Sequence, residues 1–139
     1  MREKPLILIV DDEPNLSEIL ATQLTASGYD VVTAENGEEA VKKTEELLPD
    51  LVLMDIRMPK MNGTDAVFAI KENPKTEPIK IAFLTNQTDP WPGLSGDNRK
   101  GAQELGVDDF LQKTDELETN VKKIQEILAR PPRPPEKKF

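Results

Sequence analysis

The sequence predicts an α/β domain built on one doubly wound, five-stranded parallel sheet. Five short apolar runs alternate with five segments of helical periodicity, the pattern of a parallel sheet wrapped by helices. Three of the runs, residues 6–10 (LILIV), 51–55 (LVLMD) and 79–84 (IKIAFL), are apolar almost throughout, as expected for central strands buried on both faces. The other two, 30–34 (DVVTA) and 108–112 (DDFLQ), are mixed, so they are expected at the sheet edges.

Helix punctuation divides the chain in the same way. Pro14 suits the first turn of the first helix, whose Leu16, Ile19, Leu20 and Leu24 are expected on one face, and Gly28 follows where a left-handed stop is wanted. In the second helix Asn36 and Glu39 have capping-box spacing ahead of Ala40, Val41, Thr44 and Leu47. A third helix is expected over about 64–72 and a fourth over about 97–105, stopped by Gly106. The fifth starts near Thr114 or Asp115, with Asp115 and Glu118 again at capping spacing, and its Leu117, Val121, Ile124 and Leu128 share a face. Two segments fall outside this scheme. Residues 86–96 (NQTDPWPGLSG) make a longer connection than the roughly 2–6 residues usual in α/β units. Pro131, Pro132, Pro134 and Pro135 make 130–139 an extended tail or linker after a domain spanning 1–129.

A chain of 139 residues is most naturally one domain that removes roughly 70% of its unfolded surface from water. It has no cysteine and no histidine, which excludes disulfides, thiolate and imidazole metal sites, and Cys- or His-based catalysis. The net charge of −8 argues against a broad face for duplex nucleic acid. Residues 130–139 carry four basic residues and one acidic, which leaves −11 for the rest. No apolar run approaches the roughly 20 residues of a membrane span, and the start lacks a signal-peptide core. A cytoplasmic protein without a membrane contact is the expectation.

In an open parallel sheet the ligand site lies beyond the carboxyl ends of the strands, where strand order reverses. There this chain places Asp11 and Asp12 after the first strand, Asp55 at the end of the third, Thr85 after the fourth and Lys113 after the fifth. Singly, Asp11 and Asp12 read as a turn and an N-cap, Asp55 as a turn acid, Thr85 as an ordinary strand end and Lys113 as a surface lysine. Jointly they read as a site. Carboxylates forced together repel unless a cation holds them, and with oxygen ligands only the natural ion is Mg²⁺. A lysine beside such an ion suits phosphoryl oxygens, and a carboxylate can itself be the nucleophile, giving an aspartyl phosphate.

The segments ILIVDDEP (7–14), LVLMDIRMPKMNG (51–63), FLT (83–85) and DDFLQK (108–113), in this order, resemble the motifs of response-regulator receiver domains of two-component signalling. The resemblance covers residues 5 to about 129. It implies a flavodoxin-like (βα)5 fold with strand order 2-1-3-4-5. It implies that Asp55 is the phosphoacceptor, and that Asp12 and Asp55 ligate Mg²⁺ directly. Asp11 then acts mainly through water, and Arg57 through its backbone carbonyl. Lys113 is then the partner of Asp55 and of the phosphoryl group, Thr85 the hydrogen-bond donor to a phosphoryl oxygen, and Phe110 the switch aromatic. Phosphorylation would draw Thr85 toward the phosphoryl group and turn Phe110 inward, remodelling the face of the fourth helix, fifth strand and fifth helix. The implied donor is a phosphohistidine on a sensor histidine kinase or His phosphotransfer protein, and the implied output is an unknown partner protein. Such a domain assists only its own phosphorylation and dephosphorylation, binds no nucleic acid directly, and is a monomer or a phosphorylation-dependent dimer.

Three departures accompany the resemblance, at Asn86, at Thr114 and in the 86–96 loop; Arg57 is a further position beside the acceptor. Asn86 stands where the family usually has a small residue, and altered phosphorylation or dephosphorylation rates are expected from it. Arg57 lies two residues past the acceptor, where its charge either stabilises the phosphorylated state or is merely solvated. Thr114 follows Lys113 where many relatives have a proline. The 86–96 loop with Trp91 is longer than usual, as a partner surface or a tolerated insertion.

The first expectation is a stand-alone receiver, since the chain starts at Met and no output domain follows in this sequence. The second is the receiver of a longer, for example transcriptional, regulator. An Asp-nucleophile phosphatase usually carries a D-x-D pair on its first strand, whereas the acids here are adjacent. A nucleotide site lacks its Gly-rich loop. A pseudo-receiver is opposed by the complete acid and lysine set.

Overall fold

A computed structural model describes residues 4–55, 63–85, 107, 109–112 and 116–130. Strands β1 (Leu6–Val10), β2 (Asp30–Ala34), β3 (Leu51–Asp55), β4 (Lys80–Thr85) and β5 (Asp109–Gln112) form one parallel sheet in the order β2-β1-β3-β4-β5. This is the flavodoxin-like order, and the two mixed strands lie at its edges. Helices α1 (Pro14–Ala26), α2 (Gly37–Leu47) and α3 (Gly63–Glu72) connect successive strands. The segment expected as the fourth helix, α4 (97–105), lies outside the described residues with Gly106. Helix α5 (Leu117–Ala129) follows β5.

Strand order decides which face each helix covers. Parallel crossovers are right-handed, so α1, which carries the chain toward the β2 edge, must lie opposite α2 and α3, which carry it toward the β5 edge. The side-chain period of two then splits every strand between two cores. Leu8, Val10, Val52, Met54, Ile81 and Phe83 meet Ala40, Ala66, Val67 and Ile70 of α2 and α3. Ile7, Ile9, Leu51, Leu53, Ala82 and Leu84 meet Leu20 and Leu24 of α1 and Val121, Ile124 and Ile127 of α5. The apolar runs of β1, β3 and β4 are therefore continuous because neither face meets water.

The caps follow the sequence, with corrections. Gly28 takes φ +101° after α1, and Asn36 Oδ1 accepts from Glu39 N at 2.9 Å at the start of α2. Ile19, expected in the core, is 56% exposed. The buried stripe of α1 runs through Ser17, Leu20 and Leu24, and Ile19 stands about 100° round from Leu20. Leu47 is likewise exposed, at the end of α2 where the chain leaves through Leu48 at φ 48°. Helix α5 begins at Leu117 with Glu116 as N-cap, not at Thr114 or Asp115. Its first turn closes with Asn120 N donating to Glu116 O at 3.1 Å.

The last turn of α5 is tied to the sheet. Lys80 Nζ, at the start of β4, donates to the carbonyls of Ile127 at 2.9 Å, Leu128 at 3.2 Å and Arg130. An ammonium there complements the negative end of the helix dipole. Arg130 in turn lies 2.8 Å from Asp109 Oδ2 at the start of β5.

Candidate functional site

Strands β1 and β3 are neighbours, yet their outgoing connections lead to helices on opposite faces. Their carboxyl ends therefore mark the topological switch point of this sheet. Asp11 and Asp12 leave β1 there and Asp55 ends β3 there. Carboxylate oxygens of all three lie within 4.8 Å of one another.

Local structure holds the acids in different ways. Asp11 is buried, its N–H donates to Ala34 O at 3.0 Å, and its Oδ1 accepts from Glu13 N at 2.9 Å, an Asx turn that bends the chain out of β1. Asp55 is buried at the end of an otherwise apolar strand. Asp12 is exposed, and the N-cap of α1 is Glu13, not Asp12, so Asp12 is not spent on starting the helix. Two ionised carboxylates no more than 4.8 Å apart repel by roughly 3 kcal/mol or more at an effective dielectric near 20. An all-oxygen donor set, two buried and one open to solvent, fits a hard cation that keeps water ligands, as Mg²⁺ does.

The neighbouring strands extend the same edge. Asp55 pairs with Leu84, and Thr85, the last residue of β4, pairs with Gln112. The main chain thus brings Thr85 one position past the acid's partner. Phe110 pairs with Phe83 on β4, and their ring centroids are 6.1 Å apart at 31°. Phe110 is half-buried against the α2–α3 core.

The family model described as response regulator receiver domain matches residues 7–125. The chain belongs to that family. As a receiver it is 35% identical over 124 residues to the alkaline phosphatase synthesis transcriptional regulatory protein PhoP of Bacillus subtilis, a match covering 89% of this chain and 48% of that protein. The chain spans about half the length of the curated relatives it matches. Among solved structures it is similar to the chemotaxis response regulator CheY4 of Vibrio cholerae, with a TM-score of 0.78, 27% identity, and coverage of 89% of this chain and 98% of that one. It is also similar to the receiver domain of the sensor histidine kinase PA1611 from Pseudomonas aeruginosa, with a TM-score of 0.77, 25% identity, and coverage of 91% and 99%. That structure carries a magnesium ion coordinated in its active site cleft.

Of the receiver residues named from sequence, Asp11, Asp12 and Asp55 converge, and β4 brings the main chain of Thr85 to the same edge. Phe110 stacks on Phe83. Lys113, Arg57, Asn86, the 86–96 loop and the Lys113–Thr114 bond lie outside the described residues. One polar residue was missed: Asn120 in the first turn of α5 is buried, and its Nδ2 donates to the carbonyl of Gln112 at 3.0 Å. A polar residue beside Val121, in line with the apolar face of α5, was the signal that could have found it.

Proposed function

We propose that this receiver is a phosphorylation-activated signalling switch: Asp55 accepts a phosphoryl group, and the change at the α4-β5-α5 face controls a partner protein. The observation that carries this reading is the meeting of Asp11, Asp12 and Asp55 within 4.8 Å at the switch point. A carboxylate oxygen of Asp55 attacks the phosphorus of a phosphohistidine. The O–P bond forms as the N–P bond breaks, and the imidazole leaves with the electron pair. The chain has no histidine, so the donor is a separate kinase or His phosphotransfer protein.

Asp11, Asp12, Asp55 and the backbone carbonyl of Arg57 would hold Mg²⁺, which when bound offsets the charge of the carboxylates and the phosphoryl oxygens. Lys113 neutralises Asp55 and then the phosphoryl group, and Thr85 donates to one of its oxygens. Phe110 then rotates from its place against Phe83, while Arg57 and Asn86 set the rates. Hydrolysis by water returns the carboxylate and releases orthophosphate, so the domain acts on itself rather than as an enzyme with a separate substrate. It works in the cytoplasm, and residues 130–139 act as a tail or linker outside the receiver.

Acetyl phosphate with Mg²⁺ should add one phosphoryl mass to the chain, and Asp55→Asn should take up none. Absence of an adduct from both acetyl phosphate and a histidine kinase sinks the reading. The half-length match to transcriptional regulators favours a second reading, in which this is the receiver of a longer regulator whose other domain binds DNA. The gene's stop codon decides between the two.

A further inference from the structure

At the end of the sheet opposite the acid cluster, the entries of β1, β3 and β4 border a groove of about 320 Å³. Pro5, Pro49 and Pro78, each just before one of these strands, line it together with Ile79 and with Leu128 of α5. A proline at a strand entry needs no ligand to explain it, since the N–H it lacks is not required there. Three proline rings gathered with two aliphatic side chains in one open groove make a surface for an apolar partner. Two charged residues complete the lining. Lys80 is engaged with the carbonyls that end α5, whereas the Asp50 carboxylate, which accepts from Leu6 N at 2.8 Å, stays exposed and keeps the groove negative.

Helix α5 ends on the rim of this groove. Leu128 lines it, Lys80 Nζ donates to the carbonyl of Arg130, and Arg130 leaves the helix at φ −66° and ψ 144°, which are polyproline II values. The residues that follow in this sequence, 131–139 (PPRPPEKKF), hold four prolines and three basic residues against one acid, while residues 1–130 carry a net charge of −10. Such a segment is already stiff and extended, so it loses little entropy on docking, and it offers proline rings and positive charge together. Tethered at the rim, it meets the groove at an effective concentration in the mM range, so that even an intrinsic dissociation constant of about 1 mM keeps the groove at least half filled.

We propose that residues 131–139 dock in this groove of their own chain, across the entries of β1, β3 and β4. The contact joins the apolar lining to the proline rings and the Asp50 carboxylate to the basic residues. It fixes the direction in which the chain leaves the receiver. The groove and the acids Asp11, Asp12 and Asp55 lie at opposite ends of the strands, so docking does not compete with a cation or a phosphoryl group.

The chain has no cysteine, so Glu136→Cys in the full chain accepts a single nitroxide spin label, and the label broadens the amide signals of residues it approaches. Asp50 and Ile79 report on the groove, and Asp109, which Arg130 contacts at 2.8 Å, reports on the other side of the same helix end. A docked segment should take about twofold more intensity from Asp50 and Ile79 than from Asp109, as for a groove filled at least half of the time. With Pro131→Ser, Pro132→Ser, Pro134→Ser and Pro135→Ser added, the tether is unchanged and the two sides should broaden alike. Even broadening in the labelled chain with its prolines intact, or the same uneven pattern after their replacement, would overturn the proposal. So would broadening of an isotope-labelled chain by a separate spin-labelled one, which would make a second copy the occupant.

Discussion

Phe110 lies against Phe83 across the β4–β5 ladder, in register and with ring centroids 6.1 Å apart. One ring is wholly buried and the other half-buried, so the contact joins a core residue to a partly exposed one.

That asymmetry predicts unequal costs. Phe83→Ala should destabilise the fold by about 3–5 kcal/mol, the range for emptying a core aromatic site. Phe110→Ala should cost about 1–2 kcal/mol, since less apolar area returns to water. Urea denaturation followed by circular dichroism measures both. Equal losses would show that Phe110 is as fixed as Phe83.

The acid cluster predicts opposite signs with and without metal. In EDTA, Asp12→Asn and Asp55→Asn should be more stable than wild type by about 1–3 kcal/mol, because a repelling charge is gone. With Mg²⁺ at about a hundred times its dissociation constant, wild type should gain about 2.7 kcal/mol and both variants much less. Melting curves with and without Mg²⁺ check this. Variants that are destabilised in EDTA would rule out the repulsion.

Lys80 crosses from β4 to the carbonyls that end α5. Lys80→Met keeps most of the apolar stem and removes the ammonium, so it should cost about 1–3 kcal/mol, the range for hydrogen bonds to a charged group. The Arg130–Asp109 pair is largely exposed, and Arg130→Ala should cost less than about 1 kcal/mol. Hydrogen exchange of the last turn of α5 should rise in Lys80→Met and scarcely change in Arg130→Ala. Equal effects would place the clamp in the ion pair.

At Gly28 an added Cβ would meet nothing within 4 Å, yet φ is +101°. Gly28→Ala should therefore destabilise by about 1–2 kcal/mol through backbone strain alone. A thermal melt showing no loss would mean that the turn relaxes to negative φ.

Much of the fold could be read locally. The strand runs matched within a residue or two, and Gly28 and Asn36 act as their positions suggested, because a cap is decided within one turn of chain. Ile19 was misplaced for the same reason that Asn120 was missed. On α1 both Ser17 and Ile19 lie near the edge of the apolar stripe, and on α5 Asn120 does. Which of them turns inward depends on how α1 and α5 settle against the sheet and each other.

The sequence by itself determined the alternation of strands and helices, the apolar runs that must be covered on both faces, and an acid or hydroxyl at successive strand ends. Only the tertiary structure decided that these ends meet. Asp55 reaches Asp11 and Asp12 because β3 pairs with β1 instead of with β2, its predecessor in the chain. The right-handed crossovers then send α1 and α3 to opposite faces of the sheet, which makes the ends of β1 and β3 its switch point. Non-local pairing of this kind leaves no mark on local periodicity. The same holds for Asn120, whose hydrogen bond to the Gln112 carbonyl exists only once α5 has packed beside that strand.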